Sequence, residues 1–386
     1  MQARGPSMTH PHPTARRTLA FIFYNIVVVL LLVLVLEGIA STYFACREAF
    51  ATAPVAESLY TGYDRDLGWV NLPNVYLPNM YGPGKYLRTN SQRFRNNADF
   101  PAIVLPGKTR IICSGDSFTF GYGVDNDHTW PQLLAIRAPN LETVNMGQGG
   151  YGADQAYLWY KRDAAGVDHN IEIFAIILPD LYRMLHSSFN GYGKPVLALE
   201  NDHLVTTNVP VPRLLAVRSP RLLRLQNALF NLSITRLLRR MLGLDTAAAL
   251  AETRPERNKE LAWLLWPMLD DLRETNRARH SVLVLAYLPT REEYGTDLGT
   301  SWRKLLARYA QQNGILYIDL ADDFRRLPAA ELDKMFIGTG TLNFPGAAGH
   351  YTEAGNAFVA DLIYRRLIAN PQTAAKFNSQ STNVAP

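Results

Sequence analysis

Cysteine is scarce in this sequence: its 386 residues include only Cys46 and Cys113. The sequence has no Cys-x-x-Cys pair and no cluster of cysteine with histidine, which are the usual signs of a structural zinc site. It therefore implies no metal and no organic cofactor. For the two cysteines, the alternatives are a Cys46–Cys113 disulfide in an oxidising compartment or two unpaired thiols, and we favour the thiols.

A large excess of charge of either sign is also missing. The 39 lysines and arginines against 34 acidic residues give a formal net charge of +5 and a pI of about 9.1. No nucleic-acid-binding motif accompanies this mild excess, so we expect no nucleic-acid partner. With 47% hydrophobic residues and no low-complexity tract, the chain is long enough and apolar enough to bury a sizeable core.

Residues 18–36 contain no charged residue, and Asn25 is their one strongly polar residue. This length is about what a helix needs to cross the hydrocarbon core of a membrane. Three basic residues come before it: Arg4, Arg16 and Arg17. Because positive charge is retained in the cytoplasm, we predict a cytoplasmic tail at residues 1–17 and a transmembrane signal-anchor helix at residues 18–40.

The alternative for this segment is a cleaved signal peptide. Ile39-Ala40-Ser41 offers a weak cleavage site, but the apolar region of a signal peptide is usually shorter. We therefore interpret the segment as an uncleaved anchor in the inner (cytoplasmic) membrane, with the rest of the chain periplasmic or extracellular.

The remainder of the chain begins with an irregular lead-in, residues 41–108, and becomes regular from residue 109. Short apolar runs, typical of strands buried on both faces of a parallel sheet, occur at residues 110–113, 143–146, 173–178, 282–288 and 315–320. Helical patterns lie between them. This alternation predicts a three-layer α/β/α sandwich over residues 109–370, followed by a C-terminal tail at residues 371–386.

One segment, residues 186–257, interrupts the alternation between the third and fourth strands. It mixes leucines with arginines, and six of these could form the cationic side of amphipathic helices: Arg218, Arg221, Arg224, Arg236, Arg239 and Arg240. Amphipathic helices formed here could cap an active site, lie on the membrane surface, or pack with a solvated face. We favour the last of these.

Candidate catalytic residues stand where the predicted strands end, which is where open parallel sheets bind ligands. The first strand ends in Gly115-Asp116-Ser117, the second is followed by Gly150, the third by Pro179-Asp180, and the last helix is preceded by His350. A serine hydroxyl becomes a nucleophile when a base accepts its proton, and histidine does so near neutral pH.

We predict Ser117 as the nucleophile and His350 as the base. The backbone amides of Ser117, at a helix start, and Gly150, which has no side chain in the way, are predicted to form an oxyanion hole. Asp116 and Asp180 are supporting residues. The Gly-x-Ser-x-Gly elbow of α/β-hydrolases is not matched, because Thr119 stands at its second glycine.

Together these motifs resemble the SGNH (GDSL-type) hydrolase superfamily, especially its bacterial membrane-anchored members. The resemblance covers about residues 60–368 and includes Asp66-Leu67-Gly68-Trp69, GDSFTFGYGV from Gly115, NMGQGGYGADQ from Asn145, and His350-Tyr351-Thr352. It implies a flavodoxin-like sheet and serine-dependent cleavage or transfer of small acyl groups. It also implies the same roles for Ser117, Gly150 and His350.

Two positions depart from the superfamily's pattern. Pro179 stands where the superfamily has an asparagine that completes the oxyanion hole, and proline offers neither an amide side chain nor a backbone N–H. Ala347 and Ala348 stand where it has an aspartate that orients the histidine. The nearby acidic residues Asp319, Asp322 and Asp323 are candidates to replace that aspartate.

The favoured function is a membrane-anchored, extracytoplasmic serine esterase that cleaves a small acyl ester, such as acetyl, on a cell-envelope or exopolysaccharide sugar. One alternative is a polysaccharide O-acyltransferase that uses the same serine and histidine. The other is a degenerate member that binds a glycan or a partner without turnover, which Pro179 and the two alanines would explain.

Overall fold

The computed structural model describes residues 13–49, 57–190, 192–212, 255–342 and 344–378. These residues belong to two compact units. Helix α1 (Pro13–Ala49) belongs to the first, and an α/β domain, which contains all the other described residues, is the second.

Helix α1 is longer than the predicted span of residues 18–40, since it runs without a break over 37 residues. Its central part, Ala20–Ile39, is long and apolar enough to cross a membrane. A membrane anchor and a signal sequence share this property, so the choice of an uncleaved anchor stays a prediction. Cys46 lies near the end of this helix.

The elements of the α/β domain follow in chain order. Its strands are β1 (Thr61–Asp64), β2 (Gly68–Asn71), β3 (Tyr76–Leu77), β4 (Leu87–Arg88), β5 (Thr109–Gly115), β6 (Leu141–Gly147), β7 (Ile171–Ile176), β8 (Ser188–Phe189), β9 (Tyr192–Gly193), β10 (Val196–Glu200), β11 (His203–Thr207), β12 (Val282–Tyr287) and β13 (Leu316–Asp319). Its helices are α2 (Glu57–Tyr60), α3 (Ser117–Phe120), α4 (Trp130–Ala135), α5 (Ala153–Asp163), α6 (Leu178–Arg183), α7 (Pro255–Ala278), α8 (Thr300–Gln312), α9 (Ala321–Arg325), α10 (Ala329–Lys334), α11 (Glu353–Ala369) and α12 (Pro371–Asn378).

The centre of the domain is a five-stranded sheet with the order β13–β12–β7–β5–β6, in which every neighbouring pair is parallel. Its strands coincide with the five apolar runs predicted from the sequence, which shift by at most two residues at each end. The α/β fold class with a parallel sheet is confirmed.

Helices cover both faces of this sheet because its residues are apolar on both faces. On one face, Ile112 and Phe174 pack in a core with Trp159 of α5 and Leu265 of α7. On the other, Ile111 and Ile173 pack with Trp130 of α4 and with Val359 and Ile363 of α11. These layers hold the strand ends in fixed positions relative to one another.

The lead-in, residues 57–108, contains two short antiparallel pairs, β1–β2 and β3–β4, and contributes a buried arginine. Arg95 is 1% exposed and donates to the carbonyl oxygens of Phe120, Gly121 and Val124 at 2.5 to 2.7 Å. Those three carbonyls belong to the last residue of α3 and to the loop that follows it. The lead-in thus holds the turn that carries Ser117.

The segment predicted as an insertion begins with two hairpins, β8–β9 and β10–β11. The six arginines named for a cationic helix face, from Arg218 to Arg240, lie outside the described residues, so their proposed roles stay predictions. Residues 371–378, which the sequence assigned to a C-terminal tail, instead form α12, and Thr109 Oγ1 donates to the carbonyl oxygen of Lys376 there at 3.0 Å.

Cys113 is a free thiol, fully buried in the middle of β5. Burial raises its pKa well above the usual value, since the thiolate would lose its hydration there. The side chain of Cys46 lies outside the described residues. For Cys113, the preferred unpaired thiol is what the structure contains.

Candidate active site

The predicted catalytic residues meet at the carboxyl edge of the sheet, between β5 and β7. The chain leaves β5 toward β6 on one side and continues through β7, β12 and β13 on the other, so this is a topological switch point, where such sheets bind ligands. A cavity of about 330 Å³ lies here, and Ser117, Gly150, Pro179 and His350 are among the residues on its walls. The structure therefore brings four separate sequence motifs to one cavity.

Ser117 is presented by a tight turn from β5 into α3. Asp116 caps the helix, since its Oδ1 accepts a hydrogen bond from the Phe118 N–H at 2.8 Å. A Cβ atom at Gly115 would overlap the hydroxyl of Thr119, so glycine is what allows the helix to start this close to the strand. The Gly-Asp-Ser sequence thus makes a turn and also places the Ser117 hydroxyl on the cavity wall.

His350 is in direct contact with this hydroxyl. Ser117 Oγ lies 2.7 Å from His350 Nε2 and 3.2 Å from Asp116 Oδ2. A hydroxyl has one proton to donate, and the shorter contact with the ring nitrogen is the one that general-base catalysis requires. The rings of Phe118 and Tyr122 lie against the imidazole, with centroids 4.6 and 5.2 Å away, and fix its position.

The other ring nitrogen of His350 contacts a backbone carbonyl instead of a carboxylate. Nδ1 lies 3.3 Å from the carbonyl oxygen of Ala347, so Nδ1 carries the proton and Nε2 is left bare to accept one from Ser117. Burial lowers the pKa of His350, because the charged imidazolium would lose its hydration. The histidine is therefore held in the neutral tautomer that a base needs. It does not require an aspartate at position 347 or 348, where this chain has alanine.

The three aspartates considered as replacements are used elsewhere. Asp319 and Asp322 both accept hydrogen bonds from Arg303, at 2.7 and 2.8 Å. Asp323 accepts one from Arg366 at 2.5 Å. The structure does not bring them to His350, since each is held by an arginine of the helical layers.

Two backbone N–H groups complete the candidate oxyanion hole. Ser117 is the first residue of α3, so its N–H has no helical partner, and within the described residues neither it nor the Gly150 N–H donates to another protein atom. Gly150 has a φ of 77°, a conformation that favours glycine. The indole of Trp69 donates to the carbonyl oxygen of Gly149 at 2.9 Å, which anchors this loop.

Replacing Gly150 with alanine is expected to lower kcat for an aryl acetate by about 100- to 1000-fold, the usual effect of losing one oxyanion donor. The new Cβ atom would lie 2.7 Å from the ring of Phe189, so the peptide must move. Gly314→Ala is the matched control, because Gly314 also has a positive φ, 65°, but open space around it. Equal kcat values for the two variants would remove Gly150 from the oxyanion hole.

The supporting aspartates lie behind the cavity wall and share an arginine that the sequence analysis missed. Nη1 of Arg183 donates to Asp180 Oδ1 at 2.7 Å and lies 3.5 Å from Asp116 Oδ2. Both carboxyls are about 2% exposed. Burial and the nearby Asp116 carboxylate raise the pKa of Asp180 well above its usual range. The sequence did carry a signal for this pair, because Arg183 comes three residues after Asp180, just beyond the end of a strand.

One group of side chains elsewhere in the described part of the domain has the geometry of metal ligands. The ligand atoms of Asp125, His128 and Glu353 lie within 4.8 Å of one another. Asp125 already contacts His128 Nδ1 at 2.8 Å, and Glu353 is paired with Lys85 at 2.6 Å. Because Asp125, His128 and Glu353 already have these protein partners, we assign no ligand to the group.

Comparison with known proteins finds solved structures with low similarity to this chain. No family model and no curated protein matches the chain. A member of the lipolytic protein G-D-S-L family from Veillonella parvula DSM 2008 is 14% identical, over 68% of this chain and 97% of that one, with a TM-score of 0.36. A lipase/acylhydrolase from Enterococcus faecalis is 11% identical, over 68% and 96%, with a TM-score of 0.35. The acetyl xylan esterase AlAXEase is 14% identical, over 67% and 100%, with a TM-score of 0.38.

Proposed function

We propose that this protein is a serine esterase that cleaves small acyl esters by a Ser117–His350 dyad. The observation that carries the proposal is the 2.7 Å contact between Ser117 Oγ and the unprotonated Nε2 of neutral His350, beside two backbone N–H groups that donate to no described residue. A nucleophile, a base in the correct tautomer and oxyanion donors are the parts that acyl transfer needs.

In the first half-reaction, Ser117 Oγ attacks the ester carbonyl carbon while its proton passes to His350 Nε2. The carbonyl oxygen becomes an oxyanion and accepts hydrogen bonds from the N–H groups of Ser117 and Gly150. When this intermediate collapses, the bond to the alcohol oxygen breaks, and His350 returns its proton to that leaving oxygen. An acyl-Ser117 enzyme remains.

In the second half-reaction, a water molecule attacks the acyl carbon and gives a proton to His350. The bond between the acyl carbon and Ser117 Oγ then breaks, and the proton returns to Oγ. The carbonyl of Ala347 stabilises the imidazolium that forms in each half, because its oxygen accepts from Nδ1–H. This neutral oxygen does the task more weakly than a carboxylate would.

The size and lining of the cavity favour an ester of a small acyl group with a sugar hydroxyl. Its volume is about 330 Å³, and aromatic side chains of Trp69, Phe118, Tyr122, Phe189 and Tyr192 form much of its wall. Such a wall suits the apolar faces of a sugar, with a few polar groups fixing the ester. We therefore propose an acetyl ester on a cell-envelope or exopolysaccharide sugar as the substrate.

The proposed location follows from helix α1. Its apolar segment, Ala20–Ile39, is long enough to span a bilayer, and the basic residues before it favour a cytoplasmic N-terminus. The enzyme would then be a single-pass protein of the inner membrane, with its α/β domain on the side where envelope polysaccharides are found.

Labelling with a fluorophosphonate probe tests the proposal. The detergent-solubilised full chain is expected to be labelled and to hydrolyse an aryl acetate, and Ser117→Ala is expected to abolish both. Equal turnover by the wild type and Ser117→Ala would refute the esterase and the acyltransferase alternative together. If a glycan acceptor diverts the acetyl group from water, the acyltransferase replaces the esterase as the function.

A further inference from the structure

We propose that the guanidinium of Arg183 is a third, charged donor of the oxyanion hole, in place of the asparagine that Pro179 cannot supply. This inference rests on the proposed esterase function. It adds a catalytic residue that the superfamily's motifs do not include at this position.

Arg183 bridges the two segments whose amides form the hole. Its Nη1 donates to the carbonyl oxygen of Tyr151, next to Gly150, at 2.9 Å. The same nitrogen lies 3.5 Å from Asp116 Oδ2, next to Ser117. A guanidinium in contact with the neighbours of both Ser117 and Gly150 lies close to the space between their N–H groups.

The guanidinium also has donors left over. It carries five N–H groups. Its hydrogen bonds to described residues, Tyr151 and Asp180, are both donated by Nη1. The longer contact with Asp116, at 3.5 Å, also involves Nη1. The N–H groups on Nη2 and Nε donate to no other described residue, and Arg183 is on the cavity wall with 18% of its side chain exposed. These donors are available to a ligand in the cavity.

The position of the guanidinium is fixed before a substrate arrives. Its Cζ lies 4.8 Å from the centroid of the Phe189 ring, which is also on the cavity wall. The hydrogen bonds from Nη1 to Asp180, at 2.7 Å, and to Tyr151 hold the edge of the guanidinium. Preorganised donors of this kind stabilise a developing oxyanion because they need no rearrangement during the reaction.

The two aspartates leave part of the guanidinium available to a ligand. Both contact Nη1 and not Nη2 or Nε, and one oxygen of Asp116 is already used to cap α3. Pro179, on the same wall, has no N–H to offer. Arg183, one helical turn later, is therefore the remaining side-chain donor that α6 presents to the cavity.

The test is steady-state kinetics of Arg183→Gln and Arg183→Lys on a neutral aryl acetate. We expect Arg183→Gln to lower kcat by about 100- to 1000-fold with little change in KM, since the donor acts on the oxyanion and not on the neutral ester. Arg183→Lys, which keeps the charge but loses the planar fork, should fall between this variant and the wild type. Added methylguanidinium should restore part of the kcat of Arg183→Ala.

Arg257→Gln is the matched control, because Arg257 contacts the nearby His186 at 2.8 Å but is not on the cavity wall. The inference is overturned if kcat of Arg183→Gln stays within about threefold of the control, or if its effect appears in KM alone, as recognition of an anionic substituent would. If Arg183→Gln fails to fold by its thermal melt, an unchanged kcat in Arg183→Lys also overturns it. If the wild type shows no turnover that depends on Ser117, the esterase proposal itself is refuted.

Discussion

Replacing His350 with alanine is expected to lower kcat/KM for an aryl acetate by about 10⁴-fold. Removing the histidine of a complete serine triad costs on the order of 10⁶-fold, because the serine proton then has no acceptor. Here the orienting group is the Ala347 carbonyl, 3.3 Å from Nδ1, and not a carboxylate. The wild-type rate therefore starts lower, and the loss on removing His350 is smaller.

The pH profile of the wild type checks the protonation state behind this expectation. Only neutral His350 can accept the Ser117 proton, so kcat/KM should rise with pH and level off once the ring is deprotonated. Because burial lowers the pKa of His350, the midpoint should lie below the ordinary histidine value of about 6.5. A midpoint above that value would contradict the neutral, carbonyl-bound histidine.

The double variant Ser117→Ala/His350→Ala provides the internal control. Residues that act as one unit are not additive, so the double variant should retain about the same residual rate as either single variant. His203→Ala, at an exposed histidine of β11, should behave as the wild type. If His350→Ala kept kcat/KM within tenfold of the wild type, another group would be the base.

The sheet and the contact between Ser117 and His350 could be predicted because their signals are local. Each buried strand is a continuous apolar run, as in Ile171–Ile176. Ser117 comes directly after such a strand, and His350 stands in a recognisable motif just before α11. The loops of a parallel sheet converge at the carboxyl ends of its strands, so the two residues are expected to meet there.

The parts that could not be predicted depend on the backbone and on long-range packing. The acceptor for His350 is a main-chain oxygen of Ala347, and any residue type carries that atom. Arg183 is positioned by contacts with Tyr151 and Phe189, which lie in other segments of the chain. Residues 371–378 pack on the domain through contacts with distant segments, such as the hydrogen bonds that Thr109 and Asn140 donate to the carbonyl oxygens of Lys376 and Phe377, and such contacts leave no sequence pattern.

Replacing Lys194 with methionine is expected to lower the free energy of unfolding of the α/β domain by about 3–5 kcal/mol. Lys194 Nζ donates to Asp154 Oδ2, and both side chains are 0% exposed. Removing the lysine leaves a buried carboxylate without its partner, which is the costly case for an ion pair. Differential scanning calorimetry should show a fall in Tm on the order of 10 °C.

The loss should also reach the active site. Lys194 Nζ donates to the carbonyl oxygens of Arg183, at 3.0 Å, and His186, at 3.2 Å, so it fixes the end of α6 against the start of α5. Without it, Arg183 would hold its contacts less firmly. We therefore expect a lower kcat in Lys194→Met even at temperatures where the variant is fully folded.

A second substitution separates the unpaired charge from the rest of this effect. In Lys194→Met/Asp154→Asn the buried charge is gone, while the amide oxygen can still accept from the Gln155 N–H that Asp154 Oδ1 now binds at 2.9 Å. Most of the lost stability should return. Lys161→Met is the matched control, because its pair with Asp271 is about 40% exposed on both sides, and an exposed pair contributes roughly 0–1 kcal/mol. If Lys194→Met were no more destabilising than Lys161→Met, the buried pair would not be what fixes the end of α6 against the start of α5, and the double variant would regain no stability.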